Sequence, residues 1–321
     1  MGRHVVVSLL RSPWFRALVS VALLALFASR IDFGAAGDRL SGGHWLLFVV
    51  AALELLVSFI IGAIRWRIYL LAAGLPTGEL AVIRSYMIGV FANNFLPSQV
   101  GGDVARAWVA TGPGTRLRGV ATVLVDRATA LVCLVAVGWL GYLTDPSAVP
   151  GQLVAALAAA TGAIALGSVA VVLGARSPAV ARIVPSRLQG PARDVRRAAG
   201  ACLRGPVLAR TLLIGLAFQG ITVLAAWLVL RSLELHLAFA PLAVSLAPIL
   251  IVSVLPISIG GFGVREGSYV VLLGYAGVGT TDATLLSLLS ALAFALASAP
   301  GGLFLVKWPA RRLAPAAEPE E

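Results

Sequence analysis

The sequence has few charged residues. Charged side chains make up 12% of the 321 residues, and 59% of the residues are hydrophobic, whereas soluble domains average about 25% charged residues. A chain of this composition cannot fold with most of its surface in water. The sequence also lacks any polar stretch long enough for a second, soluble domain. It therefore predicts a single transmembrane domain over residues 1–321.

Lysine, cysteine and histidine are scarce as well. Lys307 is the only lysine, so arginine carries nearly all of the net charge of +11. The arginines lie between apolar runs, where the positive-inside rule accounts for them better than nucleic-acid binding does. Cys133 lies in an apolar run and Cys202 in a basic segment, which argues against a disulfide, and the three scattered histidines form no metal-ligand pattern. We expect no cofactor, no metal and no nucleic-acid partner.

The apolar runs predict an all-α polytopic membrane protein with about six full spans. A helix needs about 20 apolar residues to cross a bilayer. The first run follows two arginines, as in a signal peptide, but it lacks a small-x-small cleavage site, so we expect an uncleaved helix. The second run is expected to end at Arg65-Trp66-Arg67, with Trp66 and Trp108 as anchors at the membrane interface. The six runs lie at about 14–29, 45–64, 119–143, 151–174, 211–230 and 283–306.

Two further runs, at about 80–96 and 240–278, are interrupted by proline, glycine and charge. Residues 96–106 read LPSQVGGDVAR and residues 255–265 read LPISIGGFGVR, so both have the pattern L-P-x-x-x-G-G-x-x-x-R. One local match can arise by chance, but the offset of 159 residues also aligns the apolar runs on both sides. The pattern therefore predicts an internal repeat.

The repeat divides the chain into two homologous halves, about 45–143 and 205–306. The span at 151–174 and a basic loop at 175–210 join them, and this loop carries eight arginines and one acidic residue. If each interrupted run is a re-entrant hairpin, every strong arginine cluster lies on the cytoplasmic side, whereas a full span at 80–96 would place the basic loop outside. The first hairpin then opens from the cytoplasm and the second from the opposite face, which is an inverted repeat as found in transporters. We expect both termini in the cytoplasm and the protein in the cell membrane.

Each repeated motif combines a helix break with a cation. Proline lacks an N–H donor and glycine tolerates unusual backbone dihedrals, so both interrupt a helix. At membrane depth such a break must be buried in protein or line a wet cavity. A half-helix that starts after each Gly-Gly pair would present free N–H groups to an anion, and an arginine one turn later suits phosphate. The breaking residues are Pro97, Gly101, Gly102, Pro256, Gly260 and Gly261, and the arginines are Arg106 and Arg265. The alternative role of the glycine pairs is close helix packing.

Other polar residues near the motifs are candidates for the same substrate site. Ionisable side chains within apolar runs are energetically costly and usually mark function or an internal ion pair. We expect Asp126 to pair with Arg106, and Glu266 to pair with Arg127. For each of these residues a structural ion pair is the alternative to a substrate role. The candidate substrate-binding residues are Asn94, Asp103, Arg106, Asp126, Arg127, Arg265 and Glu266.

These segments resemble a known membrane family. The sequences NNFLPSQVGGDVARAW, VLVDRATAL and VLPISIGGFGVREG are similar to the flippase-like transmembrane domain of lysylphosphatidylglycerol synthases and their stand-alone relatives. The similarity covers roughly residues 10–308, with one departure at Asp126-Arg127, where the family often has Glu-Arg. The resemblance implies movement of a lipid, or a lipid-linked head group, between leaflets. In the full-length synthases an aminoacyl-transferase domain follows, whereas this sequence ends in a short polar tail, so we expect no synthase activity.

Three functions stay open at the level of sequence. The first is a flippase for an anionic lipid or lipid-phosphate. ATP would not drive it directly, because the sequence has no G-x-x-x-x-G-K-[ST] loop. Asp126, Glu54 and Glu266 are the candidates for coupling transport to an ion. The second is an intramembrane enzyme acting on a lipid phosphate, which lacks an evident nucleophile and base. The third is a non-catalytic membrane partner of a glycosyl- or aminoacyl-transferase, with the loop 175–210 as its docking site or as a clamp on anionic lipids. We favour the first and expect the protein not to be an enzyme.

Overall fold

The protein is an all-α polytopic membrane protein, as predicted. The computed structural model describes residues 32–94, 99–176, 186–254 and 263–306. Helix accounts for 88% of the structure, and no strand occurs in these four segments. The helices are α1 (Phe33–Gly42), α2 (Trp45–Ala72), α3 (Glu79–Asn93), α4 (Gln99–Ala110), α5 (Arg116–Thr144), α6 (Gly151–Arg176), α7 (Ser186–Cys202), α8 (Gly205–Ser232), α9 (Phe239–Val254), α10 (Val264–Gly274) and α11 (Thr280–Val306).

Five of these helices, α2, α5, α6, α8 and α11, are long and apolar enough to cross a bilayer. They correspond to five of the six predicted spans, and the predicted first span, at 14–29, lies outside the described residues. The hydrocarbon core offers the backbone no water to bond with. A long apolar run in that environment therefore forms a helix, which satisfies its own N–H and C=O groups.

Four shorter helices form two pairs. Helix α3 packs against α4, and α9 packs against α10. With a rise of about 1.5 Å per residue, the 15 residues of α3 reach about 22 Å, which is less than the hydrocarbon core of about 30 Å. The predicted helix breaks at Pro97, Pro256, Gly260 and Gly261 lie outside the described residues.

The long helices of each predicted half pack against the short helices of the other. Helix α2 packs along α8, which is its counterpart at the 159-residue offset. Helix α3 of the first half packs on α11 of the second, and correspondingly α9 packs on α5. Each of these contacts therefore has an equivalent when the two halves are exchanged. Helices from both halves surround one central cavity.

Helix α2 continues past its predicted end at residue 64 and runs through Arg65-Trp66-Arg67 to Ala72. Gly74 then adopts a φ of +69°, and the N–H of Leu75 donates to the carbonyl of Leu70, so a left-handed glycine ends the helix. The prediction that charge ends this helix is wrong. A buried arginine is tolerated inside a span when a carboxylate pairs with it.

The basic segment 175–210, predicted as a loop, contains the 17-residue helix α7. Its buried face includes Ala198 and Cys202, spaced one turn apart, and it packs on α5 and α2. Arg193 and Arg196 are exposed on the remaining surface. The prediction weighed only the charge of the segment and missed the helical spacing of its few apolar residues.

Candidate functional site

A charged cluster joins α2, α4 and α5. Arg65 of α2 contacts Asp126 of α5, with Nη2 2.7 Å from Oδ1. Arg106 of α4 contacts the other oxygen of Asp126, with Nη2 2.9 Å from Oδ2. Asp103 then accepts from Arg106 Nε at 3.1 Å and from Arg127 Nε at 2.6 Å. These five side chains, the charged cluster, alternate in sign from Arg65 to Arg127.

The centre of the charged cluster is shielded from water. Arg65, Arg106 and Asp126 have 1%, 3% and 2% of their surface exposed. The predicted pair of Arg106 and Asp126 is confirmed. Desolvating a charge costs several kcal/mol, so these groups stay charged only because opposite charges contact them. The cluster thereby ties three helices together.

The predicted pair of Glu266 and Arg127 is wrong. Arg127 contacts Asp103, and Glu266 contacts its own neighbour in sequence, Arg265. The reason lies in helix packing, because α4 lies against α5 and brings Asp103 to Arg127. Sequence spacing does not reveal which helices are neighbours.

Aromatic rings flank the guanidinium group of Arg106. Its Cζ lies 4.8 Å from the ring centroid of Trp66 and 4.8 Å from that of Tyr86. Trp66 is fully buried, and its indole N–H donates to Thr122 Oγ1 at 3.0 Å. The prediction that Trp66 anchors the chain at the membrane interface is therefore wrong. Trp108, the other predicted anchor, is exposed. Stacking on aromatic faces adds attraction for a buried guanidinium.

The second half carries a separate ion pair at the start of α10. Glu266 is fully buried, with Oε1 2.6 Å from Arg265 Nη2. Its Oε2 accepts from the backbone N–H of Gly263 at 2.5 Å. Gly263 has a φ of +83°, which favours glycine at this position. A carboxylate is favoured at a helix N-terminus, so the protein itself supplies an anion at the start of α10.

The start of α4 differs from the prediction. The helix begins at Gln99, before Gly101 and Gly102, so the glycine pair lies within its first turn instead of preceding it. The N–H of Gly102 donates to Asn93 Oδ1 at 3.1 Å and is therefore not free for a ligand. Asn94 donates from Nδ2 to Ser298 Oγ of α11 at 2.8 Å. The N–H of Gly102 and the Asn94 amide thus bond to side chains of the protein itself.

Gly102 lies where α3 and α4 cross. A Cβ added to Gly102 would overlap the backbone oxygen of Gly89 and Oδ1 of Asn93. A Cβ added to Gly89 would lie 2.7 Å from the backbone oxygen of Gly102. The two glycines let the helix backbones touch, as small residues do in membrane helices. This geometry supports close packing, the alternative role of the glycine pair.

Replacing Gly102 by alanine is expected to lower the thermal stability of the protein. The new methyl group meets a backbone oxygen that cannot rotate away, so α3 and α4 must separate. Overpacking of this kind costs about 1–3 kcal/mol, or several degrees of melting temperature in detergent. Gly162→Ala in α6 is the matched control, because its Cβ meets no atom within 4 Å. Equal melting temperatures for the two variants would argue against the packing role.

The charged cluster lines a cavity of about 460 Å³ at the centre of the bundle. Asn94 and Arg265 also line it, so six of the seven candidate substrate-binding residues meet at one cavity. Glu266, the seventh, is not part of the lining but contacts Arg265. The rest of the wall is mainly apolar and includes Leu55, Phe59, Phe91, Phe218, Leu250 and Phe294. The cavity therefore offers buried cations and apolar surface side by side.

The family whose sequence model matches the chain is the lysylphosphatidylglycerol synthase TM region, over residues 14–301. The chain belongs to this family. The match includes both repeated motifs and all five residues of the charged cluster, as the sequence resemblance implied. A comparison with curated proteins finds no match.

Arg65 and Tyr86 are cavity residues of this member of the lysylphosphatidylglycerol synthase TM family that were not among the predicted site residues. Arg65 was assigned to the cytoplasmic end of a span, and Tyr86 lies in the interrupted run before the first motif. A signal for Arg65 was available, because the apolar sequence resumes directly after Arg67 with Ile68-Tyr69-Leu70-Leu71. No comparable pattern marks Tyr86.

Proposed function

We propose that this integral membrane protein moves an anionic phospholipid, or another lipid-linked anionic head group, from one leaflet of the membrane to the other. The cavity is the observation that carries the proposal, because it combines buried arginines with apolar walls inside a membrane-spanning bundle. A phospholipid has the same two-part chemistry. A cavity of about 460 Å³ suits a head group while the acyl chains stay in the bilayer.

Charge around the cavity favours an anion. Four arginines and two aspartates line it, and Glu266 contacts one of those arginines. The set therefore keeps an excess of positive charge at low dielectric, where attraction for an anion is strong. Arginine also presents a planar fork of donors that matches phosphate oxygens.

The two short-helix pairs supply a route across the membrane. In the proposed topology, with both termini in the cytoplasm of a cell-membrane protein, α3 and α4 enter from the cytoplasm and α9 and α10 enter from the opposite face. Both pairs contribute residues to the cavity. Rocking of one half against the other would open the cavity to each face in turn, as in transporters built from inverted repeats. Movement would be facilitated or coupled to an ion gradient.

Catalysis on a lipid phosphate has less support. Covalent catalysis needs a nucleophile within reach of a base. No histidine of the described segments lines the cavity. Ser253 and Ser290 do line it, but the carboxylates of the described lining, Asp103 and Asp126, both contact arginines and are not free to act as a base. We propose that the protein is not an enzyme. The second candidate function is that of a non-catalytic membrane partner of a transferase. The exposed arginines of α7 favour it, because they offer a basic surface on which the transferase would dock. These arginines are Arg193, Arg196 and Arg197.

Reconstituted vesicles test the proposed function. We expect purified protein to carry fluorescent phosphatidylglycerol from the inner leaflet to the outer one, where an impermeant quencher reaches it, and vesicles without protein to do so far more slowly. Arg106→Lys keeps the charge but loses the fork, so translocation should fall about tenfold or more. Arg67→Lys is the matched control, because Arg67 is not part of the cavity lining. Wild-type vesicles that behave like empty ones contradict the proposal, and a new lipid product would favour an enzyme.

A further inference from the structure

Glu54 lies in the middle of α2, on the side of the helix that faces lipid. It follows Trp45, the first residue of α2, by about 13 Å along the helix axis at the usual rise per residue. Val50 and Val57, one turn before and one turn after Glu54, are 37% and 50% exposed. Exposed apolar residues of a membrane span contact lipid. The carboxyl group of Glu54 therefore lies at the edge of the bundle, roughly halfway through a hydrocarbon core of about 30 Å.

Glu54 has no polar partner within the described segments. Its side chain is partly exposed, its Oε2 is buried without a hydrogen bond, and no ion pair involves it there. Asp103, Asp126 and Glu266 differ, because each of them contacts an arginine. A carboxylate held by arginine keeps its charge, whereas an isolated carboxylate in apolar surroundings takes up a proton and becomes neutral. Of the three candidates for ion coupling, Glu54 is therefore the one that can change its charge.

The helices packed against α2 bring no counter-ion to Glu54. These helices are α3, α5, α7, α8 and α11, and none of their described ionisable side chains contacts it. Helices α8 and α11 carry charge only near their ends, at Arg210, Arg231 and Asp282. On the other three helices the ionisable residues include Glu79, Arg84 and Tyr86 of α3, Asp126 and Arg127 of α5, and the exposed Arg193, Arg196 and Arg197 of α7.

The second half of the protein has no equivalent of Glu54. At the offset of 159 residues its counterpart is Leu213 of α8, which is 69% exposed. The same position on the paired helix thus accepts an apolar side chain that contacts lipid, so the architecture does not require a carboxyl group there. A polar residue that is costly in the membrane and not needed for the fold usually marks a function.

We propose that Glu54 binds and releases a proton, and that this proton couples lipid movement to a proton gradient. The coupling rests on the function proposed above, whereas proton binding does not. The proton adds to a carboxylate oxygen from water and returns to water when it leaves. A metal cation such as Ca²⁺ needs six or more oxygen ligands, and no group of three His, Cys, Asp or Glu side chains occurs in the described part of the chain. A proton needs only one carboxyl group.

The position of α2 allows proton binding to act on the cavity. Helix α2 packs along α8 of the other half, and its residues Leu55 and Phe59 line the cavity. Neutral Glu54 is tolerated in lipid, whereas ionised Glu54 favours an arrangement of the two halves that brings it to water. A ligand shifts a conformational equilibrium by the difference in its affinity for the two states. Protonation of Glu54 therefore shifts the equilibrium between the two arrangements.

Labelling with dicyclohexylcarbodiimide tests proton binding without any transport. This lipophilic reagent adds to a protonated carboxyl group in an apolar environment and forms a stable N-acylurea, which peptide mass spectrometry locates. We expect an adduct at Glu54 in native membranes, with a yield that falls as the pH of the medium is raised. The paired carboxylates Asp103, Asp126 and Glu266 should remain unlabelled. An absent adduct, or one whose yield does not depend on pH, overturns the proposal.

Variants and a change of medium sharpen the labelling experiment. Glu54→Gln should abolish the adduct, and Glu54→Asp, which keeps a carboxyl group, should retain it. Glu79→Gln makes the same chemical change at an exposed residue of α3 and should leave the adduct at Glu54 unchanged. An adduct that forms in detergent but not in native membranes would show that a partner helix covers Glu54, and it overturns the proposal.

Reconstituted vesicles test the coupling. We expect a pH gradient to change the rate of phosphatidylglycerol translocation several-fold relative to equal pH on both sides, after subtraction of the rate in empty vesicles under the same gradient. Glu54→Gln should abolish this response, and Glu54→Asp should restore it. Glu79→Gln should respond as the wild type does. A full response in Glu54→Gln, or none in the wild type or in Glu54→Asp, overturns the coupling.

The two experiments separate this proposal from the proposed function. If wild-type vesicles translocate no lipid, the proposed function fails, whereas a pH-dependent adduct at Glu54 still establishes the proton site. If translocation occurs without an adduct at Glu54, the proton site fails and the proposed function stands.

Discussion

Asp126→Asn is expected to destabilise the protein by about 3–5 kcal/mol, the cost of breaking a buried ion pair by removing one partner. The substitution preserves the shape of the side chain and removes its charge. In the wild type Arg65 and Arg106 share this carboxylate. The substitution leaves Arg65 buried beside a neutral amide and leaves Arg106 with Asp103 alone. The melting temperature in detergent and the amount of protein inserted in membranes should both fall.

Two further variants show whether charge is the cause. Asp194→Asn makes the same chemical change at an exposed position on α7 and should leave the melting temperature unchanged. The double variant Arg65→Met with Asp126→Asn removes Arg65, the cation that Asp126→Asn leaves without a carboxylate contact in the described segments, whereas Arg106 still contacts Asp103. It should be more stable than Asp126→Asn alone, because apolar residues often replace buried ion pairs at little cost. A double variant that is no more stable than Asp126→Asn would argue against electrostatics as the cause.

An impermeant maleimide added to intact cells at neutral pH is expected to label Ser147→Cys and not Gly190→Cys. Ser147 is exposed in the turn after α5, which the proposed topology places outside. Gly190 lies on the basic helix α7, which it places in the cytoplasm, and a side chain there meets no atom within 4 Å. After permeabilisation both variants should be labelled. The reverse pattern in intact cells would contradict the inverted-repeat topology.

The native cysteines can stay in place for this experiment. Cys133 and Cys202 are both buried. Burial raises the pKa of the Cys202 thiol to about 11, and only the thiolate reacts with a maleimide at an appreciable rate. The wild-type protein should therefore remain unlabelled before and after permeabilisation, and it serves as the background control.

The fold was predictable from the sequence to the level of its spans. Five predicted spans match α2, α5, α6, α8 and α11, because hydropathy accumulates locally along the chain and a bilayer accepts only helices or closed barrels. The helix ends were less predictable. Helix α2 continues beyond Arg65 because Asp126 compensates that charge, and α7 forms within a segment whose arginines suggested a loop.

The candidate site was predictable as a set of residues but not as a set of contacts. Ionisable residues in apolar runs stood out by their cost, which is why six of the seven predicted residues line the cavity. Their partners were assigned less well. Arg106 meets Asp126 as predicted, whereas Glu266 meets Arg265 and caps α10 instead of meeting Arg127.

The sequence by itself determined three things: that this protein is a membrane protein, which segments of the chain form its long helices, and which polar residues must be shielded from lipid. These properties depend only on the composition of one turn or one span. Only the tertiary structure decided that Arg65 belongs to the site. Its partner, Asp126, lies 61 residues away on another helix, and the contact exists because α2 and α5 are packed side by side. The arrangement of the charged cluster around the cavity follows from that packing.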